Sequence, residues 1–199
     1  MARLRVSCTR TGKGAWPSPA TFLAPASTFF AALFAESQPA TRSAQGVIHR
    51  DVRPRNVVVA PGGVVKLGNF DLAFIPDAPN LSIAASVREH FDRRYVAPAV
   101  WEDPRDVAPA SDVYSLGLVF YQLITGQPPR HDVEAVLAGK GPAIDTELLT
   151  AELSRTGSPN FMSDPAGAVE IIGRMCAPQR SDRYATLAGA MEDLAICEP

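Results

Sequence analysis

The fold of this chain is decided by one stretch of sequence, His49-Arg50-Asp51-Val52-Arg53-Pro54-Arg55-Asn56. It places a carboxylate five residues before an amide, with a cation between them. Phosphoryl transfer needs a group that orients or deprotonates the attacking hydroxyl, a metal ligand, and positive charge on the transferred phosphoryl group. Asp51, Asn56 and Arg53 are the residue types that fill these roles. The alternative is a polar loop between a helix and a hairpin.

The residues that follow predict the architecture. Val57 to Ala60 and Val64 to Leu67 are short β-branched runs on either side of Pro61-Gly62-Gly63, so they predict a small hairpin. Val113 to Ile124 is apolar and long enough for a buried helix, which Gly126 ends. Shorter helical patterns cover residues 133–138, 166–175 and 186–196. Together these patterns predict a mainly α domain with a small β-hairpin.

Five landmarks in this order resemble those of the protein kinases. The first stretch resembles the kinase catalytic loop, usually His-Arg-Asp-Leu-Lys-Pro-Glu-Asn. Asn69 to Ala73 resembles the Asp-Phe-Gly motif, and Arg94 to Ala99 resembles the end of the activation segment. Ser111 to Gly117 resembles the start of the buried helix, and Cys176 to Thr186 resembles the end of the domain. From Gly46 onward the chain is therefore similar to the C-terminal lobe of eukaryotic-type serine/threonine protein kinases.

The resemblance implies roles for residues at the catalytic loop. Asp51 would receive the proton of the substrate hydroxyl, Asn56 would bind a metal ion, and Arg53 stands at the position of the loop lysine. Val58 would touch the adenine from below. The cofactors implied are ATP and Mg²⁺, and the implied partner is a protein substrate or another binding protein.

Three further residues receive structural roles from the same resemblance. His49 and Phe70 would stack on each other inside the domain, where plain core packing explains them equally well. Asp112, at the start of the buried helix, would hold the backbone of the catalytic loop from beneath.

The sequence departs from the kinase pattern at the metal site. Asn69 stands where the family has the aspartate that binds magnesium, and an amide is a neutral ligand for an ion that prefers carboxylates and phosphates. If this stretch is extended, residues two apart face the same side, and Asp71 would approach the metal in place of Asn69. The alternative for Asp71 is an exposed acidic residue.

Two other departures concern ion pairs. Asp92 stands where serine/threonine kinases have a threonine, so we predict an Arg53–Asp92 pair. Ala99 replaces the glutamate that would pair with the arginine at position 183. Because an unpaired buried arginine is costly, we predict either a substitute carboxylate, such as Glu102 or Asp103, or an exposed Arg183.

The N-terminal lobe of a kinase has no counterpart in the sequence pattern. We find no glycine-rich loop, strand lysine or helix glutamate of the kinase type, and residues 1–45 are too few for a five-stranded sheet and a helix. The expectation is a kinase-like C-lobe that lacks the N-lobe and has negligible activity alone. The surface that would meet the missing lobe is expected to be apolar.

Residues 1–45 form a basic, Ala/Ser/Thr/Pro-rich leader with one acidic residue, Glu36. One interpretation is a poorly ordered leader whose later part, residues 28–45, forms a helix broken at Pro39. The other is a signal or transit peptide, which Phe22 to Ala35 resembles weakly and Pro25 interrupts. The domain proper is assigned to residues 46–199.

Composition excludes several other classes of protein. The 199 residues carry a net charge of −2, which favours neither nucleic acid nor an anionic membrane as a partner. The three cysteines are widely spaced, which argues against a disulfide framework and fits a reducing cytoplasm. No apolar run reaches the ~20 residues of a membrane-spanning helix.

Three functions remain open. The first is a serine/threonine kinase lower lobe, truncated or completed by an N-lobe on another chain. The second is a pseudokinase scaffold or binding module, which Asn69, Asp92 and Ala99 favour. The third is a non-functional gene remnant. The Asn-Phe-Asp motif with Asp-x-Arg-Tyr also resembles a bacterial kinase subgroup found beside nuclease-related domains.

Overall fold

The computed structural model describes residues 47–59, 65–75, 87–155 and 164–197. The predictions for the leader, residues 1–45, and for the hairpin turn at residues 61–63 lie outside these described residues. Within them, the secondary structure is mainly helical with one two-stranded antiparallel sheet, as predicted. The strands are β1 (Val57–Val59) and β2 (Val65–Leu67); the helices are α1 (Val87–His90), α2 (Pro98–Glu102), α3 (Pro109–Thr125), α4 (Val133–Leu137), α5 (Thr146–Arg155), α6 (Pro165–Met175) and α7 (Leu187–Ile196).

The hairpin has one buried and one exposed face. Val57 pairs with Leu67, Val58 with Lys66, and Val59 with Val65. Leu67 and Val65 are buried against the domain while Lys66 is exposed, which is the period of two expected of a half-buried strand. The hairpin therefore lies on the helical part of the domain and exposes its other face.

Helix α3 is the centre of the core. It is buried around most of its circumference, as a helix enclosed by other elements must be. Helices α5, α6 and α7 pack against it. It begins with Pro109 in its first turn and ends where Gly126 adopts a left-handed conformation at φ 68°, which a glycine accepts without strain. The remaining elements, including the catalytic loop, are positioned relative to this helix.

Helix α5 was not predicted from the sequence. Asp145 caps it by accepting the backbone N–H of Leu148 at 3.0 Å. The buried residues Leu149 and Leu153 are four apart and face the core. An aspartate before residues spaced at four was an available signal, but the helix is polar on most of its surface.

Arg183 contradicts both predictions made for it. It is buried, with 4% of its surface exposed, and no carboxylate of the described residues forms an ion pair with it. Its guanidinium donates to the carbonyls of Ala177 at 2.5 Å, Pro178 at 2.6 Å and Ala110 at 3.4 Å, and lies 4.6 Å above the ring of Tyr114. Burial lowers the pKa of Arg183 to about 10, although the nearby Tyr114 and the charge of the neighbouring Asp182 raise it in part. The charge is met by carbonyl dipoles and a ring face, because each of these concentrates negative potential.

Cys176 and Cys197 are both buried. No helix in the described ranges is both long and apolar enough to cross a bilayer.

Candidate active site

The backbone of the catalytic loop is held by Asp112 of helix α3, as the sequence predicted. The N–H of His49 donates to Asp112 Oδ2 at 2.7 Å, and the N–H of Arg50 donates to Oδ1 at 2.9 Å. Arg50 itself adopts a left-handed backbone conformation with φ 64°, a strained state for a residue with a side chain. Burial raises the pKa of Asp112 to about 6, although both N–H bonds and the charge of Arg50 act to lower it. Both carboxylate oxygens are therefore committed to fixing this turn.

The imidazole of His49 joins the loop to the segment after β2. The N–H of Asp51 approaches His49 Nδ1 at 3.3 Å, so Nε2 carries the proton and donates to the carbonyl of Gly68 at 3.1 Å. Burial lowers the pKa of His49, and the bond to Gly68 raises it in part. The Phe70 ring packs edge-on against the imidazole, with the ring centroids 4.6 Å apart. The predicted contact between the rings of His49 and Phe70 is therefore present.

Asp51 and Asn56 lie side by side at the centre of the site. Asn56 Nδ2 donates to Asp51 Oδ2 at 2.7 Å and to the carbonyl of Asp51 at 2.8 Å. A 3-10 turn over Pro54–Asn56 brings the amide back towards the carboxylate, and the Asn56 carbonyl accepts the N–H of Gly68 at 2.8 Å. Since its NH₂ group faces Asp51, the Asn56 side-chain oxygen points away from the carboxylate and is available to a cation.

The Arg53 guanidinium lies between the carboxylates of Asp51 and Asp92. Arg53 Nε lies 3.0 Å from Asp51 Oδ1, although its hydrogen does not point at that oxygen. Arg53 Nη1 lies 3.6 Å from Asp92 Oδ2, so the predicted Arg53–Asp92 ion pair is present. Burial raises the pKa of the Asp51 carboxyl, and the Arg53 charge and the Asn56 hydrogen bond lower it in part. A raised pKa suits a group that accepts a proton.

Replacing Asp92 with asparagine is expected to lower the pKa of Asp51. The Asp92 charge raises that pKa directly, and its loss also leaves Arg53 with Asp51 as its remaining ion-pair partner among the described residues. Both effects favour the ionised form of Asp51. The measurement is the carboxyl titration of Asp51 by ¹³C NMR in the two proteins. An unchanged or raised midpoint in Asp92→Asn would contradict the geometry.

Asn69 lies opposite the side-chain oxygen of Asn56. Its Nδ2 is 3.4 Å from Asn56 Oδ1, a long and therefore weak hydrogen bond. Its backbone is left-handed at φ 65°, which asparagine tolerates better than most residues. If the Asn69 amide rotates, its oxygen joins that of Asn56. The donor set then fits Mg²⁺ as a pair of neutral oxygens, without the carboxylate that this ion favours.

The geometric reason for placing Asp71 at the metal was wrong. Residues Phe70–Leu72 form a 3-10 turn and not an extended strand. With three residues per turn, side chains two apart do not face the same side. Asp71 is exposed on this turn. Its role as a metal ligand remains a prediction without that support.

A contact that the sequence did not predict links Arg50 to two other segments. Arg50 is buried, and its Nε donates to the carbonyl of Leu72 at 2.5 Å and its Nη1 to that of Pro104 at 3.0 Å. Carbonyl acceptors carry no sequence signal, so only the fold reveals this link. Val58, the predicted adenine contact, is exposed on β1 and open to a ligand.

Comparison with known proteins agrees with this geometry. Residues 43–194 match the protein kinase domain family. Over 156 residues, 77% of the chain, it is 31% identical to serine/threonine-protein kinase PknL of Mycobacterium tuberculosis. Over 86 residues, 43% of the chain, it is 40% identical to serine/threonine-protein kinase PknA of the same organism. The chain spans 36% of the length of PknL and 19% of that of PknA.

Proposed function

The chain belongs to the protein kinase family, and we propose that it forms the lower half of a serine/threonine-type catalytic site. Asp51 would accept the proton of a protein hydroxyl while that oxygen bonds to the γ-phosphorus of ATP and ADP leaves. Asn56 would hold Mg²⁺ by its side-chain oxygen, and Val58 would lie beneath the adenine. Mg²⁺, when bound, would neutralise charge on the phosphate oxygens.

One observation carries this proposal. The Asp51 carboxylate and the Asn56 amide are 2.7 Å apart on a loop that Asp112 fixes by two backbone hydrogen bonds. Such a base and metal ligand, placed in advance on a rigid support, match the requirement of phosphoryl transfer for positioned groups.

We further propose that transfer requires a nucleotide-binding lobe in addition to residues 47–197. The described ranges contain one sheet of two strands, and they offer ATP a floor but no element that covers its phosphates. Positioning and exclusion of water supply much of the rate in this reaction. A lobe from another chain would complete the site.

The experiment is transfer of labelled phosphate from ATP to a generic protein substrate. The 199-residue polypeptide alone is expected to give background signal, and a kinase N-lobe added as a separate chain is expected to raise it. Asp51→Ala should abolish the increase. Strong transfer by the polypeptide alone would overturn the requirement for a second lobe, and full transfer by Asp51→Ala would overturn the role of Asp51.

Replacing Asn69 with aspartate is expected to strengthen Mg²⁺ binding. Two unit charges 4 Å apart attract by about 4 kcal/mol at an effective dielectric constant of 20. Solvent exposure of the site reduces this, so we expect an affinity gain of about 10- to 100-fold, or about 1.4–2.8 kcal/mol. Titration with Mg²⁺ followed through the Asn56 side-chain amide by NMR measures it.

The matched control for that titration is Asp71→Asn, which removes a carboxylate two residues away. Because the 3-10 turn separates Asp71 from Asn69, we expect the Asn69→Asp gain to be absent here and the native affinity to be kept. A loss of Mg²⁺ affinity of about 10-fold or more in Asp71→Asn would instead make Asp71 the metal ligand.

A second candidate function is a pseudokinase binding module. The neutral pair of Asn69 and Asn56, and an Arg53 charge already shared between two carboxylates, support it. Under this proposal the added N-lobe gives no transfer, while the helical domain still binds a protein partner. The Asn-Phe-Asp motif also supports a place in the bacterial subgroup associated with nuclease-related domains.

A further inference from the structure

Three large apolar side chains are uncovered around the hairpin. Val58 is 55% exposed, Phe70 41% and Ile75 46%. We call these three residues the upper face. In the described residues, two other large apolar side chains are exposed, Leu137 at 43% and Ile196 at 79%. Exposed apolar side chains on neighbouring segments of backbone mark a surface that another element can cover.

The three residues belong to one connected piece of backbone. Gly68 donates to the Asn56 carbonyl at 2.8 Å, which joins the end of β2 to the loop before β1. Ile48 and Phe74 exchange hydrogen bonds of 3.0 and 2.7 Å, which places Ile75 beside the start of the described chain. The chain thus enters the domain at the edge of the upper face.

The residues before that entry point hold an apolar stripe. Four of the nine phenylalanines of the chain lie there, at positions 22, 29, 30 and 34. Phe30, Leu33 and Phe34 have the spacing of one side of a helix, since residues three and four apart are neighbours. We call residues 28–38 the phenylalanine segment. Packing its large apolar side chains against an apolar surface removes them from water, which is favourable.

We propose that the phenylalanine segment docks on the upper face of its own chain. From Gln38 to Val47 the chain has nine steps, which span up to about 30 Å when extended. A tether of this length gives an effective concentration of about a millimolar, so docking within one chain outcompetes a second copy at ordinary concentrations.

This docking has a consequence for the site. The upper face includes Val58, the proposed adenine contact, and Phe70, which packs on His49. A docked phenylalanine segment and a nucleotide-binding lobe would therefore compete for the upper face, and an added lobe must displace the segment. The docking itself does not depend on whether the chain transfers phosphate.

The test uses the whole chain and compares Phe30→Ser/Phe34→Ser with the control Ala32→Ser/Ala35→Ser, which at helical spacing falls on the side away from Phe30 and Phe34. Loss of docking uncovers the upper face. We expect about a threefold or larger rise in 8-anilinonaphthalene-1-sulfonate fluorescence for the phenylalanine variant, because this dye reports exposed apolar surface. Amide exchange of residues 65–75 should accelerate about tenfold, measured by mass spectrometry. The alanine control should match the native chain.

A reciprocal pair guards against effects on folding. Val58→Ser/Ile75→Ser changes exposed residues of the upper face, and Leu137→Ser is its control at an exposed site elsewhere. Amide exchange across residues 28–38 should accelerate in the first variant and stay native in the second. Sedimentation of the native chain should show a monomer throughout.

Two results would overturn the proposal. The first is equal dye fluorescence and equal exchange of residues 65–75 in the native chain and in Phe30→Ser/Phe34→Ser. The second is protection of residues 65–75 that grows with protein concentration along with a dimer, which would make a second copy the occupant.

Discussion

Replacing Asp112 with alanine is expected to lower the free energy of unfolding by about 3–5 kcal/mol, a large part of the stability of an ordinary domain. Asp112 accepts the N–H groups of His49 and Arg50, and these residues are 1% and 4% exposed. Water cannot readily replace the carboxylate there, so both donors lose their partners. Each unsatisfied buried donor costs about 1–3 kcal/mol.

The loss should also loosen the active site. The strained turn at Arg50, with φ 64°, is held by these two bonds. Without them, the fixed approach of Asn56 to Asp51 is expected to relax, and the side-chain amide protons of Asn56 should exchange faster. Asp112→Asn keeps one acceptor oxygen and should lose roughly half as much stability.

Chemical unfolding measures the effect of Asp112→Ala, with Asp106→Ala as the matched control. Asp106 forms an ion pair with Arg180 at 2.8 Å, but its side chain is 53% exposed. Exposed pairs of this kind contribute about 0–1 kcal/mol. Equal destabilisation by the two substitutions would show that Asp112 does not hold the loop through the N–H groups of His49 and Arg50.

Replacing Gly117 with alanine is expected to destabilise the domain, although alanine favours helices. A Cβ atom at position 117 would lie 2.7 Å from Cys176 Sγ and 2.8 Å from Met175 Cβ. The second atom is attached to the backbone of α6, so α6 must move away from α3. Overpacking of this kind costs about 1–3 kcal/mol.

Gly173 provides the opposite case with the same substitution. It lies within α6, and a Cβ added there meets no described atom within 4 Å. Gly173→Ala should therefore raise the free energy of unfolding by about 0.5–1 kcal/mol, the ordinary helix preference of alanine over glycine. Thermal unfolding of both variants tests the packing of α3 on α6. Stabilisation by Gly117→Ala would show that the two helices are not in close contact.

Much of the fold followed from local pattern. Helix α3 was predicted because a long apolar run before a glycine admits few other structures. The hairpin was predicted because two β-branched runs flanked a turn signal. Helix α5 was missed because only Leu149 and Leu153 are fully buried on it, so its apolar period is weak.

The candidate site was predicted in part. Three contacts followed from positions of the kinase pattern. They are the support of the loop by Asp112, the Arg53–Asp92 pair and the His49–Phe70 contact. The argument for Asp71 as a metal ligand assumed an extended backbone, whereas the backbone turns at Phe70–Leu72; the assignment itself stays a prediction. The Ala73 N–H closes this turn on the Phe70 carbonyl, while the Leu72 carbonyl accepts from Arg50, which is remote in sequence.

By itself, the sequence determined the family and the order of its elements, because these are recorded in residue types at short spacings. Tertiary structure alone decided how the buried charges of Arg50 and Arg183 are satisfied. Arg183 lacks the glutamate partner of the kinase pattern, and its guanidinium donates hydrogen bonds to the backbone carbonyls of residues 110, 177 and 178 instead. Every residue has a carbonyl, so no residue type records which ones will converge on a buried cation; only the packed chain selects them.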